Sequence, residues 1–302
     1  MSKQKKILIL GSTGMLGHTL LRYLSASPGY DVYATARTLT GLEKHFPEDL
    51  LDRFCSDNVD ANYFDSVIRA LASVQPDIVI NCIGIIKQLP SANDPLTSIT
   101  INALFPHRVS LVSRVSGARL IHVSTDCVFD GEKGMYTEND QSNAKDFYGR
   151  TKYLGEVAYP NCVTLRTSII GHELKGRYGL IEWFLAQTHK IQGFRKAIYS
   201  GFPTIELARI IRDYVLPRPE LSGVYHVSSE PISKYELLCL IALRYGKRIE
   251  IEPYEDFVQD RSLDSSIFRE TTGYEPPSWE KLIEMMHSDF LVNQSYYIKR
   301  DF

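Results

Sequence analysis

Tyr148 and Lys152 stand four residues apart in Tyr148-Gly149-Arg150-Thr151-Lys152, and together they can do acid chemistry that neither does alone. A tyrosine is a weak acid near neutrality, with an ordinary pKa of about 10. On a helix, positions i and i+4 share a face, so the Lys152 ammonium can sit near the phenol and lower its pKa by stabilising the phenolate. A hydroxyl from Thr125 or Ser124, in the Ser124-Thr125-Asp126 end of an apolar run, can hydrogen-bond the same carbonyl oxygen. The set describes a general acid that hands a proton to an alkoxide as hydride reaches the carbon.

Hydride chemistry needs a nicotinamide carrier, and the N-terminus offers a seat for one. Gly11-Ser12-Thr13-Gly14-Met15-Leu16-Gly17 follows the apolar run Ile7 to Leu10 and opens a helical pattern. A strand turning into a helix aims N–H groups and the positive end of the helix dipole at the turn, where a pyrophosphate can sit. Gly11 permits the turn, Gly14 lets the backbone approach phosphates, and Gly17 lets the helix lie against the strand. The spacing is G-x-x-G-x-x-G, so the G-x-G-x-x-G fingerprint is met only loosely. The next strand pattern ends at Arg37, where an acid would take a ribose 2′-hydroxyl and an arginine takes a 2′-phosphate, so NADP(H) is expected over NAD(H).

Positioning these groups requires alternating strands and helices. Strand patterns lie at Lys6 to Leu10, Asp31 to Ala36, Arg53 to Cys55, Ile78 to Asn81, Leu120 to Ser124 and Cys162 to Arg166. Amphipathic stretches at Met15 to Ser25, Tyr63 to Val74, Leu96 to Val115 and Tyr148 to Ala158 separate them. Continuous apolar strands indicate a parallel sheet covered on both faces, hence a Rossmann-type, doubly wound α/β fold. After Arg166 the alternation loosens: Ile181 to Thr188 and Pro203 to Tyr214 read as helices, Gly223 to Val227 as a strand. Everything from Ser233 reads as mostly helical, ending in a polar, aromatic tail. A dinucleotide-binding domain is expected over 1–168 plus about 203–228, and a smaller substrate lobe over about 169–202 plus 229–302.

The 302 residues suit such a pairing. A net charge of −2 gives no electrostatic case for nucleic acid or an anionic membrane. Met1-Ser2-Lys3-Gln4-Lys5-Lys6 leads directly into a short strand, no run approaches membrane-spanning length, and the cytoplasm is expected. Five scattered cysteines without a C-x-x-C pair and eight histidines without metal-ligand spacing predict neither disulfides nor zinc.

With Asn81, Asn102, Ser124-Thr125-Asp126-Cys127-Val128-Phe129-Asp130-Gly131 and the Tyr148/Lys152 pair, the chain resembles the extended short-chain dehydrogenases. Within these it resembles the sugar-nucleotide reductases of the dTDP-4-dehydrorhamnose reductase type. The likeness continues through Arg166-Thr167-Ser168, Pro203-Thr204-Ile205-Glu206-Leu207-Ala208, Ser233-Lys234-Tyr235-Glu236-Leu237 and Pro276-Pro277-Ser278-Trp279. It implies NADPH-dependent reduction of a nucleotide-linked 4-keto-6-deoxy sugar, with Thr125, Tyr148 and Lys152 catalytic and Tyr148 the proton donor. It further implies that Gly11, Thr13, Gly14, Met15, Leu16 and Arg37 hold cofactor phosphates, that Asp60 (or Asp57-Asn58) and Ala61 meet the adenine, and that Asn81, Cys82 and Gly84 meet the ribose and central part. Asn102 would support the lysine; Lys87, Thr125, Asp126 and Arg261 would contact substrate, Lys87 and Arg261 as diphosphate candidates. Homodimers are common on this fold.

One departure concerns the sugar. The rhamnose-pathway enzymes usually carry Tyr directly after the Thr-Asp pair, where this chain has Cys127. A smaller side chain there leaves room, and Gly84-Ile85-Ile86-Lys87-Gln88 also differs, which fits a UDP-linked 2-acetamido sugar. The resemblance leaves two alternatives. One is an epimerase on the same scaffold; the acidic pair by which the related dehydratases are known is absent, since Cys127 follows Asp126. The other is a binding module like the regulatory subunit of methionine adenosyltransferase, for which an intact Thr125/Tyr148/Lys152 set is not required.

Overall fold

The computed structural model describes residues 4–297; the first three residues and the end of the aromatic tail lie outside the described residues. Strands β1 (Lys5–Leu10), β2 (Tyr30–Thr35), β3 (Phe54–Ser56), β4 (Ile78–Asn81), β5 (Arg119–Thr125) and β6 (Cys162–Thr167) follow the apolar runs closely. Helices α1 (Met15–Ser25), α2 (Glu48–Leu51), α3 (Phe64–Val74), α4 (Pro95–Ser98), α5 (Phe105–Val115) and α6 (Phe147–Leu154) connect them. The second half holds β7 (Ile169–Ile170), α7 (Leu180–Leu185), β8 (Ile191–Tyr199), β9 (Phe202–Pro203), α8 (Thr204–Ile210), β10 (Gly223–His226), β11 (Ile232–Ser233), α9 (Lys234–Tyr245), β12 (Ile251–Asp260), α10 (Ser266–Thr272) and α11 (Trp279–Val292).

A seven-stranded sheet runs β10-β6-β5-β4-β1-β2-β3, parallel throughout. Successive side chains of a strand point to opposite faces, and both faces of β1 are buried. Ile7 and Ile9 join the core formed with α1 and α8, while Leu8 and Leu10 join the core formed with α3 and α5. The fold is therefore the expected doubly wound α/β sheet. The chain runs from β1 to β2 and β3 on one side and then crosses to β4 on the other, so a crevice opens at the carboxyl ends of β1 and β4, the place where such sheets bind ligands. A second sheet, β11-β8-β12, and the pair β7-β9 lie outside the main one.

Three expectations are corrected in part. The segment from Ser233 onward is mostly helical as expected, but it also holds a ten-residue edge strand, β12, that went unread, and β8 beside it also carried no strand pattern. Neither strand shows a continuous apolar run. β12 contains Pro253 and has no fully buried residue, and β8 carries Arg195 and Lys196 at its centre. The stretch Leu96 to Val115 is not one helix, because a π-turn over Ile99–Leu104 separates α4 from α5. Pro106 has no N–H to give the carbonyl of Asn102 four residues back, and its ring crowds that carbonyl. Finally, α6 ends at Leu154, with Gly155 as its C-cap, rather than continuing to Ala158. No described helix is long and apolar enough to cross a membrane.

The first βα turn is tighter than any side chain allows. Gly11 has φ +83°, and a Cβ on Gly17 would stand 2.1 Å from the Gly11 carbonyl oxygen and 2.9 Å from the Ser12 Cα. Gly17→Ala should therefore destabilise the protein by about 1–3 kcal/mol, despite alanine's better helix propensity. Urea unfolding checks this; a midpoint equal to or above that of the unaltered chain would contradict the close approach.

Candidate active site

Helix α6 brings the acid pair to the sheet, and two glycines seat it there. A Cβ on Gly149 would lie 2.2 Å from the Cys127 carbonyl oxygen, and one on Gly155 would lie 1.9 Å from the Asn102 carbonyl oxygen. Bare backbone at both positions lets α6 rest on the loop after β5 at one end and on the π-turn at the other. Asp146 caps the helix, accepting from Gly149 N–H at 2.8 Å, and takes the Lys87 ammonium at 2.7 Å on its other oxygen.

Tyr148 thereby comes near enough to the Thr125 hydroxyl at the end of β5 for that hydroxyl to act on its acidity. The Lys152 ammonium is buried and donates to the Val123 carbonyl at 3.1 Å. The sequence predicts that Lys152 lowers the Tyr148 pKa, but in the fold the phenol is pushed up. Burial is the largest cause, with Cys127 adding to it and Thr125 opposing. Burial also lowers Lys152 to about 8, against the opposing pull of Glu156. Low-dielectric surroundings disfavour the charged form of each group. The phenol thus keeps its proton until a stronger base, such as an alkoxide, forms beside it.

Ser124, the other hydroxyl considered for the carbonyl oxygen, faces away: it donates to Glu156 Oε1 at 2.7 Å. That leaves Thr125, which donates to Asp126 Oδ1 at 3.2 Å and accepts from the Cys127 N–H at 3.1 Å. Asp126 is buried, which raises its pKa, while Arg261 pulls it down. Arg261 donates to the Phe129 carbonyl at 2.9 Å and to Cys127 Sγ at 3.4 Å, so it comes from the far end of the chain to this loop. Cys127 stays a neutral thiol, pushed up to about 12 by burial and Asp126.

The glycine turn and the end of β4 meet at the crevice. A Cβ on Gly11 would lie 2.9 Å from Ile83 Cγ1 and 3.2 Å from the Cys82 carbonyl carbon. Gly14 is exposed and caps α1 with no side-chain acceptor, and the first turn holds no acidic residue. A Cβ there would be in ordinary contact, so the chain itself does not require glycine; an anion approaching the backbone would. Gly84 is also exposed, and its Cβ would lie 3.7 Å from Lys152 Nζ. A bare, open cradle running from α1 to the buried ammonium fits an extended dinucleotide.

Other candidate residues are spent partly on structure. Asn81 is buried, donates to His122 Nδ1 at 3.1 Å and accepts from Ile83 N–H at 3.0 Å, so it shapes the turn after β4. Cys82 lies under Lys152's influence, its thiol pushed up to about 12 by burial. Asn102 holds Ile85 through both backbone groups, at 2.9 and 3.4 Å, and lies 3.5 Å from the Gly84 Cβ position. Asp60 caps Asn62 at 2.9 Å, and Asp57 caps Leu39 and Asn58. Val59 N–H bonds the Ala36 carbonyl, which sets Asp60 and buried Ala61 beside the end of β2, where Arg37 is exposed. Thr13, Met15 and Leu16 form the turn and first residues of α1.

Three functional-looking residues went unread in sequence. Lys234 is the first residue of α9, inside the capping box of Ser233 and Glu236; it feels Asp126, Cys127, Arg261 and Lys87, so it belongs to the same charge cluster. The Ser-x-x-Glu box could have flagged the helix start but not where the lysine points. Asp146 was signalled only by its place as an N-cap, and Glu156 only by lying four residues past Lys152.

Residues 5–292 match the RmlD substrate binding domain family. The chain is similar to methionine adenosyltransferase 2 subunit beta of Danio rerio, 26% identical over 254 residues covering 79% of this chain and 73% of that protein. It is similar to dTDP-4-dehydrorhamnose reductase of Aggregatibacter actinomycetemcomitans, 26% identical over 304 residues covering 92% and 97%. Among solved structures, dTDP-4-dehydrorhamnose reductase from Bacillus anthracis in complex with NADP superposes with a TM-score of 0.77 at 22% identity, covering 95% of this chain and all of that one, a likeness of fold. A profile match that runs from β1 to α11 makes this chain a member of the RmlD substrate binding domain family.

Proposed function

We propose that this chain is an oxidoreductase that uses NADPH to reduce the 4-keto group of a nucleotide-linked 4-keto-6-deoxy sugar. The observation that carries the reading is the convergence of Thr125, Tyr148 and Lys152 at the carboxyl end of β5, next to the bare cradle of Gly11, Gly14 and Gly84. NADPH, when bound, supplies the hydride. Gly11, Thr13, Gly14, Met15 and Leu16 would hold its phosphates, Arg37 its 2′-phosphate, Asp60 and Ala61 its adenine, and Asn81, Cys82 and Gly84 its central part.

Tyr148 gives its proton to the carbonyl oxygen, Thr125 donates a hydrogen bond to the same atom, and the Lys152 ammonium steadies the phenolate that remains. Asp126, Lys87 and Arg261 contact the substrate. Cys127, small and neutral, leaves space beside the sugar, which supports a UDP-linked 2-acetamido substrate. In this reading 1–168 plus about 203–228 binds cofactor and about 169–202 plus 229–302 binds substrate. The protein works in the cytoplasm, and a homodimer uses the exposed apolar residues Leu104, Leu111, Val115 and Leu154. The Danio rerio relative gives a second reading, a subunit that serves another enzyme; an epimerase on the same scaffold is a third.

NADPH oxidation, followed by absorbance with dTDP-, UDP-, GDP- and CDP-linked 4-keto-6-deoxy sugars, separates the readings. Stoichiometric oxidation with one of them is expected; isomerisation without net oxidation indicates the epimerase, and no turnover of any indicates the subunit. Tyr148→Phe should leave NADPH binding near normal and lower kcat by about two orders of magnitude or more, and unchanged turnover would remove Tyr148 from the chemistry. Arg37→Glu should raise the Kd for NADPH far more than that for NADH, because a phosphate loses its guanidinium and meets a like charge. An equal effect on both cofactors would overturn the NADP assignment.

A further inference from the structure

The tail beyond α11 reaches back to the first βα turn. Tyr297 is buried there, with its hydroxyl 3.3 Å from Nε2 of His18, a fully buried residue of α1. His18 Nδ1 lies 2.9 Å from the Gly14 carbonyl, which also accepts the His18 backbone N–H at 3.0 Å. A carbonyl only accepts, so Nδ1 carries the proton. Burial, and then the Arg22 charge, lower the His18 pKa to about 3, so the ring is neutral and its Nε2 accepts from the Tyr297 hydroxyl. The tail is pinned on either side of this bond. The Tyr296 carbonyl accepts from His45 Nδ1 at 2.9 Å, and Arg22, one turn along α1 from His18, forks onto Asp289 of α11 at 3.2 and 3.0 Å.

We propose that Tyr297 is a positioning residue for the cofactor: acting through His18, it holds the Gly14 carbonyl and so aims the Met15 N–H at the seat of the cofactor's phosphates. The peptide group is planar and trans, so the Gly14 carbonyl and the Met15 N–H point opposite ways. A carbonyl held inward toward His18 turns that N–H outward from the start of α1, where a phosphate approaches. Gly14 has need of such a hold, since it is exposed, carries no side chain to cap α1 and belongs to the residue type whose backbone is least restrained. By donating to Nε2, the hydroxyl keeps the imidazole proton on Nδ1, facing the carbonyl.

A tail that merely closed the core would have no use for a hydroxyl at this position. The Tyr297 ring packs against those of His172 and Phe290, each 5.4 Å away, and phenylalanine would fill the same space without the desolvation cost of a buried O–H. The role rests on the NADPH-binding reading above and not on which sugar is reduced.

NADPH binding, followed by the fluorescence of the dinucleotide, tests the role without any turnover. Tyr297→Phe should raise the Kd by about three- to tenfold, the worth of one hydrogen bond. His18→Phe should raise it at least as much, and adding Tyr297→Phe to His18→Phe should raise it no further, because the hydroxyl then has no imidazole to act through. Nitrogen NMR of the histidine rings should show His18 neutral with its proton on Nδ1 in the unaltered chain, and a mixture of the two tautomers in Tyr297→Phe. A Tyr297→Phe protein that binds NADPH as tightly as the unaltered chain overturns the proposal, even where urea unfolding shows it to be less stable, as does full additivity of the two substitutions. Should Tyr297→Phe not fold, an unmoved Kd in His18→Phe overturns it instead. No NADPH binding by the unaltered chain would overturn the cofactor reading and this role with it. The expected loss of affinity in a protein that reduces no sugar nucleotide would support the role and sink the reductase reading alone.

Discussion

The site depends on where one short helix sits. α6 is eight residues long and leans on two backbone carbonyls, at Cys127 and at Asn102, through glycines that have no Cβ to hold it off. The first contact sets Tyr148 beside Thr125, and the second sets Lys152 under Gly84 and against Val123. Catalytic geometry is sensitive to displacements of about 1 Å. A methyl group at either glycine would exceed that. The second carbonyl is itself put in place by a sequence defect: Pro106 opens the helix ladder at Asn102, and the resulting π-turn faces Gly155. A break in one helix is thus what lets another come close.

Burial acts on the acid and on its cation in opposite senses of pKa but in the same sense of charge. It raises the phenol and lowers the ammonium, and each move favours the neutral form. For Tyr148 that is compatible with giving up a proton, because an alkoxide is the stronger base. For Lys152 it works against the proposed role, since a neutral amine cannot steady a phenolate. The Val123 carbonyl on β5, which accepts from the ammonium, offsets it locally. The same strand that ends in Thr125 therefore also carries the carbonyl that holds the ammonium.

How much of this could be read beforehand varies with how the signal arises. The six strands of the first half and α1 announced themselves because each buries a continuous or periodic apolar set, and the switch point follows from their order. Tyr148, Lys152 and Thr125 stood out because the proposed proton transfer needs fixed residue types at fixed spacing, and the fold brings the three to the end of β5. β8 and β12 were not legible: they belong to a small three-stranded sheet, bury few side chains and so leave no apolar run. Ser124 and Thr125 could not be told apart in sequence, as adjacent residues on a strand face opposite ways and only the pleat decides which one meets the acid. Lys234 and Arg261 lie over a hundred residues from Asp126, and their approach is a product of the fold alone.

The mouth of the site shows why that approach matters. Asp126 is a buried carboxylate, expensive by itself, and Arg261 and Lys234 draw near it from separate elements while Lys87 comes close enough to lower Lys234 further. Arg261 is already committed to the Phe129 carbonyl and the Cys127 sulfur, and Lys87 to Asp146, the cap of α6. Each of these cations thus touches the loop or the helix that carries the acid. Asp146 holds Lys87 on one oxygen and the first turn of α6 on the other, so one carboxylate ties the charge at the mouth to the helix start two residues before Tyr148.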